Sequence, residues 1–584
     1  MNSNASGKDP AADTDSARAA SDMPAGVPEA SVPEAGVPAT VPESDGAAGT
    51  VGTAATAGTA ITLRNFGLAA GGKWLLRDAE ASFPAGQLTL ILGCSGVGKS
   101  LLLRILAGLI DARHAAIRYS GEIRFGDDPA TAGSRNHTEH PVAVVFQSFA
   151  LFDELTPEEN IQIAIEHSAH EPISRAESSL QAARLLQELG VPDDRPTPVL
   201  SGGQQQRLAI ARAVGMNTDV VLYDEPTSGL DTNTAAQVAE LIRETQTRFQ
   251  RTSVIVTHDF EALKQIADHV VLLNHHTQTL QEIPREQWPQ LSELLGTPPR
   301  VEESTHQRPT LVQRMAGQAA SGMAASGEFV EQALLLPWSL LPLWKSFRWG
   351  TRITWHYIKL VCGWSALFYI AIAGMIIGFV AQDFIFRYLP FRQYTEPLLI
   401  ENLLHATGFS LYRFLVPILC TILIAARSGA AVAADVGSKV YGNQLDAMKT
   451  VGMEPWRCIR TPILYAFLIG VPLLTFFSYA VASMTSAVAF LSTHAREGIA
   501  FWDAHFHREL RLPEAILYKG TGWLTGKLLT CAVGIAMIAW TCGSAPKQSA
   551  PDISKGVTRT ILWSTLYTLI IHFVFSFFEF KAPR

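Results

Sequence analysis

Four stretches of this chain, residues 360–382, 461–495, 528–546 and 560–578, contain no Asp, Glu, Lys or Arg. Each is long enough to cross about 30 Å of hydrocarbon as a helix rising 1.5 Å per residue. Lipid offers the backbone no hydrogen-bond partner, so such runs fold as helices that satisfy their own peptide groups. A fifth run near 403–434 is interrupted by Arg413 and Arg427. About five spans are therefore expected. Segment 427–460 carries Arg427, Lys439, Lys449, Arg457 and Arg460, and loop 547–559 carries Lys547, Lys555 and Arg559. This places both in the cytoplasm, although loop 496–519 is basic too. Ahead of the spans, 334–359 interleaves Trp338, Trp344, Trp349 and Trp355 with Lys345, Arg348, Arg352 and Lys359. Aromatic and basic residues together suit a helix lying in the headgroup layer; a buried core helix is the alternative.

The other half reads differently. Residues 61–285 alternate short apolar strands with helical patterns, which is an α/β signature. Residues 1–60 repeat Val-Pro units without an aromatic and are expected to be a disordered Ala/Pro/Gly-rich tail that stays in the cytoplasm. Residues 286–333 read as a polar linker, and 334–584 as the membrane domain. The six cysteines are scattered singly, without the spacing a zinc site needs. A net charge of −7 over 584 residues argues against a nucleic-acid partner.

The α/β half contains "GCSGVGKS" (93–100), a match to G-x-x-x-x-G-K-[ST]. It follows the strand-like "QLTLIL" and opens the helical "SLLLRILAGL", which is the required context. Gly93, Gly96 and Gly98 allow the backbone to curl so that its N–H groups face phosphates. Lys99 neutralises β/γ oxygens and Ser100 ligates Mg²⁺. The nucleotide-holding stretch is thus Gly93, Cys94, Ser95, Gly96, Val97, Gly98, Lys99, Ser100 and Leu101.

"LSGGQQQR" (200–207), "VVLYDEP" (220–226), "TSGLD" (227–231), "VTHD" (256–259) and "VVFQS" (144–148) resemble, in order and context, the motifs of ABC ATPases. The resemblance implies ATP and Mg²⁺ as cofactors. It makes Asp224 and Gln147 metal-side residues with Ser100, Glu225 the general base, and His258 the holder of γ-phosphate geometry. It also implies that Ser201, Gly202, Gly203, Gln204 and Asp231 act on the nucleotide of a second copy, so the chain works as a homodimer. An adenine-stacking aromatic is expected upstream of the phosphate loop, with Phe66 and Trp74 both possible.

Residues 422–466 resemble the central segment of MlaE-type permeases, membrane subunits of MCE-associated lipid transporters. The likeness lies in the small residues around Arg427, Ser428 and Gly429 and in "NQLDAMKTVGMEP" (443–455). Two departures stand out: Asn443 replaces an acidic residue, and "RFLVP" (413–417) lacks the acid and glycine of the family's Arg-Glu-x-Gly-Pro. The amphipathic 443–453 stretch suits a cytoplasmic coupling helix docking near Gln147. The expectation is an ABC ATPase domain fused to an all-α membrane domain of about five spans plus an interfacial helix, in the bacterial inner membrane. It would move phospholipid or a similar hydrophobic molecule, with an MCE-domain partner outside, a small cytoplasmic accessory protein, and Arg413 meeting a lipid phosphate or reaching the interface. The rivals are an ABCG-like exporter of drugs or sterols and a membrane-anchored regulatory ATPase.

Overall fold

The structure, a computed structural model, describes residues 58–110, 117–126, 128–131, 142–168, 173–258, 260–291, 327, 337, 340–342, 344–388, 392–511 and 517–581. The expected tail up to residue 57, most of the expected linker, and Asp259 lie outside the described residues.

Among the described residues, the first half of the chain is built on two sheets. In one, β3 (Leu88–Leu92), β6 (Val142–Val145), β7 (Val220–Asp224), β8 (Thr252–Thr257), β9 (His269–Asn274) and β10 (Thr279–Glu282) run in the order β10-β9-β3-β8-β7-β6. All neighbours are parallel except β10 on β9. "LTLIL", "VVLYD" and "TSVIVT" are buried throughout, the continuous apolar run that a strand needs when both sheet faces are covered. The registers Leu92↔Thr257 and Asp224↔Val256 level the carboxyl ends of β3, β8 and β7, where ligands of open α/β sheets bind. The second sheet is antiparallel, β2-β1-β4-β5, formed by β1 (Ile61–Ala70), β2 (Lys73–Phe83), β4 (Ile117–Phe125) and β5 (Asp128–Thr131). Among the described residues this half also has five α-helices: α1 (Lys99–Leu106), α2 (Pro157–Ser168), α3 (Arg175–Glu188), α4 (Gly202–Gly215) and α5 (Thr232–Phe249).

The other half is helical. Among the described residues, five segments are long and apolar enough to cross a membrane: Phe347–Phe384, Ile400–Tyr441, Trp456–Thr493, Thr521–Ser544 and Ala550–Glu579. The first has two parts. Helix Phe347–Cys362 carries the aromatic–basic pattern, and a break at Gly363 separates it from helix Trp364–Tyr388. The helix that carries the pattern expected of an interfacial helix thus starts at Phe347 and stops at Gly363, ahead of the long apolar helix. Arg427 holds the break: its Nη1 donates to Leu360 O at 2.9 Å, and Ser428 Oγ donates to Val361 O at 3.0 Å. Cations and hydroxyls there satisfy carbonyls that the helix end leaves open.

Spans one and three pack closely through glycine. A Cβ on Gly374 would lie 2.6 Å from Ser478 O, and one on Gly378 would strike Ala482 O. Small residues four apart let membrane helices approach at backbone distance. Three π-turns, Leu411–Leu415, Ala425–Gly429 and Trp456–Arg460, each contain at least one arginine. The extra residue per turn swings a side chain out of helical register, which is how π-turns come to mark functional positions.

Candidate functional site

The loop 93–98 leaves β3 at the centre of the sheet and turns into α1. Gly96 and Gly98 have φ of 82° and 101°, the left-handed region open to glycine. A Cβ on Gly98 would sit 2.8 Å from Leu75 Cδ1 of β2. Lys99 is buried and its Nζ donates to Gly93 O at 2.8 Å and Cys94 O at 3.0 Å. Burial pushes its ammonium pKa down, against the pull of Glu225 and Asp224. Ser100 Oγ donates to Asp224 Oδ1 at 2.8 Å. Asp224 closes β7, and burial raises its carboxyl pKa. A hydroxyl beside a carboxylate, next to a curled loop and a helix N-terminus, is a donor set that fits a hard divalent cation carried with phosphates.

Glu225 follows at φ 49°, its N–H on Val256 O at 2.8 Å. That strained turn aims the carboxylate at two other groups: Gln147 Nε2 lies 3.1 Å from Oε2, and His258 Nδ1 lies 2.9 Å from Oε1. Gln147, Glu225 and His258 therefore form one cluster.

The remaining motif residues stand elsewhere. Ser201 caps α4, its Oγ accepting from Gln204 N, while Gln204 Oε1 accepts from Ser201 N at 3.0 Å. Gly202 faces open space, and Gly203 lies beside Thr234. Asp231 caps α5 by accepting from Thr234 N and Oγ1 at 3.1 and 2.6 Å, bonds that hold its carboxyl pKa low. Two helix N-termini thus share one outward face. Among the described residues no hydrogen bond or ion pair joins this face to Lys99, Ser100, Asp224 or Glu225. Phe66, 0% exposed, belongs to the core and has no face to offer an adenine. Trp74 is 43% exposed, next to the Leu75 that packs on Gly98, with the Arg77 guanidinium 5.6 Å from its ring.

Sequence reasoning missed Arg212. It is fully buried on α4, and its Nη1 and Nη2 donate to Ala150 O at 2.5 Å and Phe149 O at 3.2 Å. Those two residues have φ of 50° and 61°. Burial lowers its guanidinium pKa to about 10. The signature helix α4 is thereby tied to the turn that follows Gln147. A single arginine inside the apolar "LAIARAV" was the available signal.

The same turn meets the membrane half. Helix Gln444–Thr450 is entered through Asn443 at φ 57°. Asn443 Nδ2 donates to Ser148 Oγ at 2.9 Å, and its Oδ1 accepts from Arg104 Nη2 of α1 at 2.7 Å. Ser148 Oγ in turn donates to Gly442 O at 3.0 Å. Gln444 Nε2 donates to Asp153 Oδ2 at 3.1 Å. Lys439 bridges Glu154 at 3.2 Å and Asp435 at 3.1 Å. On the other flank, Arg348 and Arg352 reach Glu166 and Glu159 of α2 at 3.3 and 3.2 Å, and Trp349 Nε1 donates to Glu166 Oε2 at 2.6 Å. Asn443, at the position where an acid is expected, supplies its amide oxygen as the acceptor for Arg104.

Arg413 stands apart from all of this. Its Nη2 lies 2.8 Å from Glu579 Oε1 and its Nη1 donates to Lys519 O at 3.0 Å. Lys527 Nζ donates to Arg413 O at 3.0 Å. The carboxylate that "RFLVP" lacks beside its arginine comes instead from helix Ala550–Lys581, so the guanidinium is paired within the protein.

A phosphate loop, a buried hydroxyl–carboxylate pair and a Gln–Glu–His cluster, bonded through one turn to a helical membrane domain, define a transporter-type ATPase cassette carrying its own permease. The family comparisons agree: the ABC transporter model matches residues 76–228 and the Permease MlaE model matches residues 358–578. The chain is a multi-pass membrane protein in which an ABC ATPase domain precedes an MlaE permease domain. Curated relatives match the first half. The Fe(3+) ions import ATP-binding protein FbpC of Photorhabdus laumondii is 35% identical over 214 residues, 37% of this chain and 58% of that protein. The sulfate/thiosulfate import ATP-binding protein CysA 1 of Chromobacterium violaceum is 36% identical over 219 residues, 37% of this chain and 59% of that protein. The chain therefore spans less than two thirds of the length of these relatives. The ATP-binding cassette MJ0796, solved as a dimer in a post-hydrolysis state bound to ADP and Pi, is 26% identical, with 38% of this chain and 97% of that chain covered and a TM-score of 0.33.

Proposed function

We propose that this chain is an ATP-driven half-transporter that works as a pair of identical copies in the bacterial inner membrane and moves phospholipid or a similar hydrophobic molecule. One observation carries the reading. Asn443, at the head of the permease's cytoplasmic helix, is bonded both to the turn after Gln147 and to Arg104 of the phosphate-loop helix. Any rearrangement of either element in the cassette pulls on the spans.

ATP with Mg²⁺ supplies the phosphoryl bond to be broken. Gly93–Gly98 cradle phosphates with backbone N–H groups, with Leu101 in the first turn of the helix behind them. Lys99 leaves its two carbonyls for phosphate oxygens, and Ser100, Asp224 and Gln147 hold the cation. Glu225 takes the proton of the attacking water, and His258 fixes its orientation through the Oε1 contact. Trp74 stacks on the adenine. Ser201, Gly202, Gly203, Gln204 and Asp231 present their helix N-termini to the nucleotide of the second copy. Arg413 meets the lipid phosphate, which must displace the Glu579 carboxylate to do so. It lies 28 residues from Tyr441, about 40 Å along the helix and so at the far side of the membrane from the cassette. An MCE-domain protein outside and a small cytoplasmic protein complete the assembly. In proteoliposomes holding a fluorescent phospholipid, the wild-type chain with its MCE partner is expected to transfer lipid only with MgATP. Glu225→Gln is expected to bind ATP and lose at least about a hundredfold in turnover and transfer. Steady hydrolysis by that variant, or transfer without ATP, refutes the assignment.

A further inference from the structure

A cavity of about 450 Å³ opens where the interfacial helix, the loop after Gln444–Thr450 and the end of α2 meet. It lies at the cytoplasmic boundary of the membrane, because Arg457 and Cys458, at the start of the third spanning segment, line one wall and His167 of the cassette's α2 closes the other side. Its apolar lining is Trp344, Trp349, Ile353 and Met453. Trp344 is fixed in place: its Nε1 donates to Arg457 O at 3.0 Å, and its ring meets Tyr465 edge-on at 6.2 Å.

The charged lining is two cations against one carboxylate. Lys345 donates one N–H to His167 O and keeps two more. Arg457 engages Glu454 through Nε at 2.7 Å, which leaves the Nη edge of its guanidinium. Next to the lining residues in sequence, Leu340, Leu341 and Phe347 are exposed, Phe347 at 71% with its ring 5.9 Å from that of Trp344. A surplus cation, an indole wall and a greasy rim at headgroup depth are what an acidic lipid needs: charge for its phosphate, a flat apolar face for its glycerol, and surface for its chains.

We propose that this cavity is a binding site for the headgroup of an anionic phospholipid of the cytoplasmic leaflet. It is separate from the transported lipid, because Arg413 lies at the opposite side of the membrane. Because the walls belong to the cassette, the coupling loop and the interfacial helix at once, a bound headgroup fastens the ATPase to the permease. Membrane composition then sets how firmly hydrolysis is coupled to the spans.

The test uses the full chain in detergent micelles supplied with short-chain phosphatidylglycerol or phosphatidylcholine. Hydrogen exchange of the wild-type peptides 344–354 and 452–458 is expected to slow with phosphatidylglycerol only. The double variant Lys345→Gln/Arg457→Gln is expected to bind it roughly twenty-five-fold more weakly, about fivefold for each cation at a membrane surface. Its binding of phosphatidylcholine is expected to stay unchanged. The exchange measurement on wild-type protein decides the matter even if the variant misfolds. Equal protection by both lipids, unchanged phosphatidylglycerol binding by the folded variant, or full protection by glycerol 3-phosphate alone would overturn the proposal.

Discussion

Replacing Arg212 with methionine separates holding the fold together from holding the site in shape. The guanidinium makes two bonds to carbonyls, each contributing about 1.5–3 kcal/mol for a charged donor. Burying that cation costs several kcal/mol, and a methionine of similar length fills the space without that cost. The two terms offset, so global stability is expected to change by less than about 2 kcal/mol. The local consequence is larger. Phe149 and Ala150 sit in the left-handed region, each at a cost of about 1–3 kcal/mol, and the bonds from Arg212 are what hold their carbonyls. Without them the turn opens more often by about 3 kcal/mol, roughly a hundredfold. Amides 148–152 are then expected to exchange about a hundred times faster. Gln147, one residue away, loses its register on Glu225, and turnover falls at least about tenfold. Both are read on the purified chain in nanodiscs, by exchange mass spectrometry and by ATPase rate at saturating MgATP. Unchanged exchange together with unchanged turnover would refute the reasoning.

Other substitutions probe the joint and the far side of the membrane. Lys439→Met strands Glu154, with Lys439 and Glu154 only 4% and 5% exposed, while Asp435 keeps the Tyr357 hydroxyl at 2.9 Å; the change is expected to cost about 3–5 kcal/mol. The thermal unfolding midpoint should fall, and lipid moved per ATP should fall with it; an unchanged midpoint contradicts a buried pair. Glu579→Gln removes the carboxylate that occupies Arg413 and is expected to raise retained phospholipid about tenfold, while Arg413→Ala lowers it. Equal retention in all three proteins removes Arg413 from the lipid site.

The parts legible in the sequence are those whose chemistry is local. The phosphate loop needs glycines, a lysine and a hydroxyl within eight residues, and a span needs some twenty apolar residues in a row. Both declare themselves in one window. The long-range partners do not. Nothing near Arg413 announces Glu579, 166 residues later, because a counter-ion is chosen by helix packing rather than by spacing. Arg212 and Arg104 each look like a stray charge on an apolar helix until the carbonyls and the Asn443 oxygen they reach are in view. Phe66 and Trp74 were equal candidates in sequence because they stand eight residues apart on neighbouring strands. Burial separates them, since Phe66 points into the core and Trp74 out. The π-turns were illegible as well: "LYRFL", "AARSG" and "WRCIR" share only an arginine, and an inserted residue changes register without changing composition.

The claim that matters most is that each nucleotide site is completed by a second copy. It is tested by mixing two inactive proteins. Lys99→Ala disables the phosphate grip and Ser201→Arg blocks the outward face, so each is expected to be inactive alone. If the sites form between copies, co-expressing the two at equal levels makes one intact site in every mixed pair. Random pairing then restores about a quarter of the wild-type ATPase rate in purified, bilayer-reconstituted protein. A rate that stays at background in verified mixed pairs, or Ser201→Arg protein that hydrolyses ATP at the wild-type rate alone, would contradict the account.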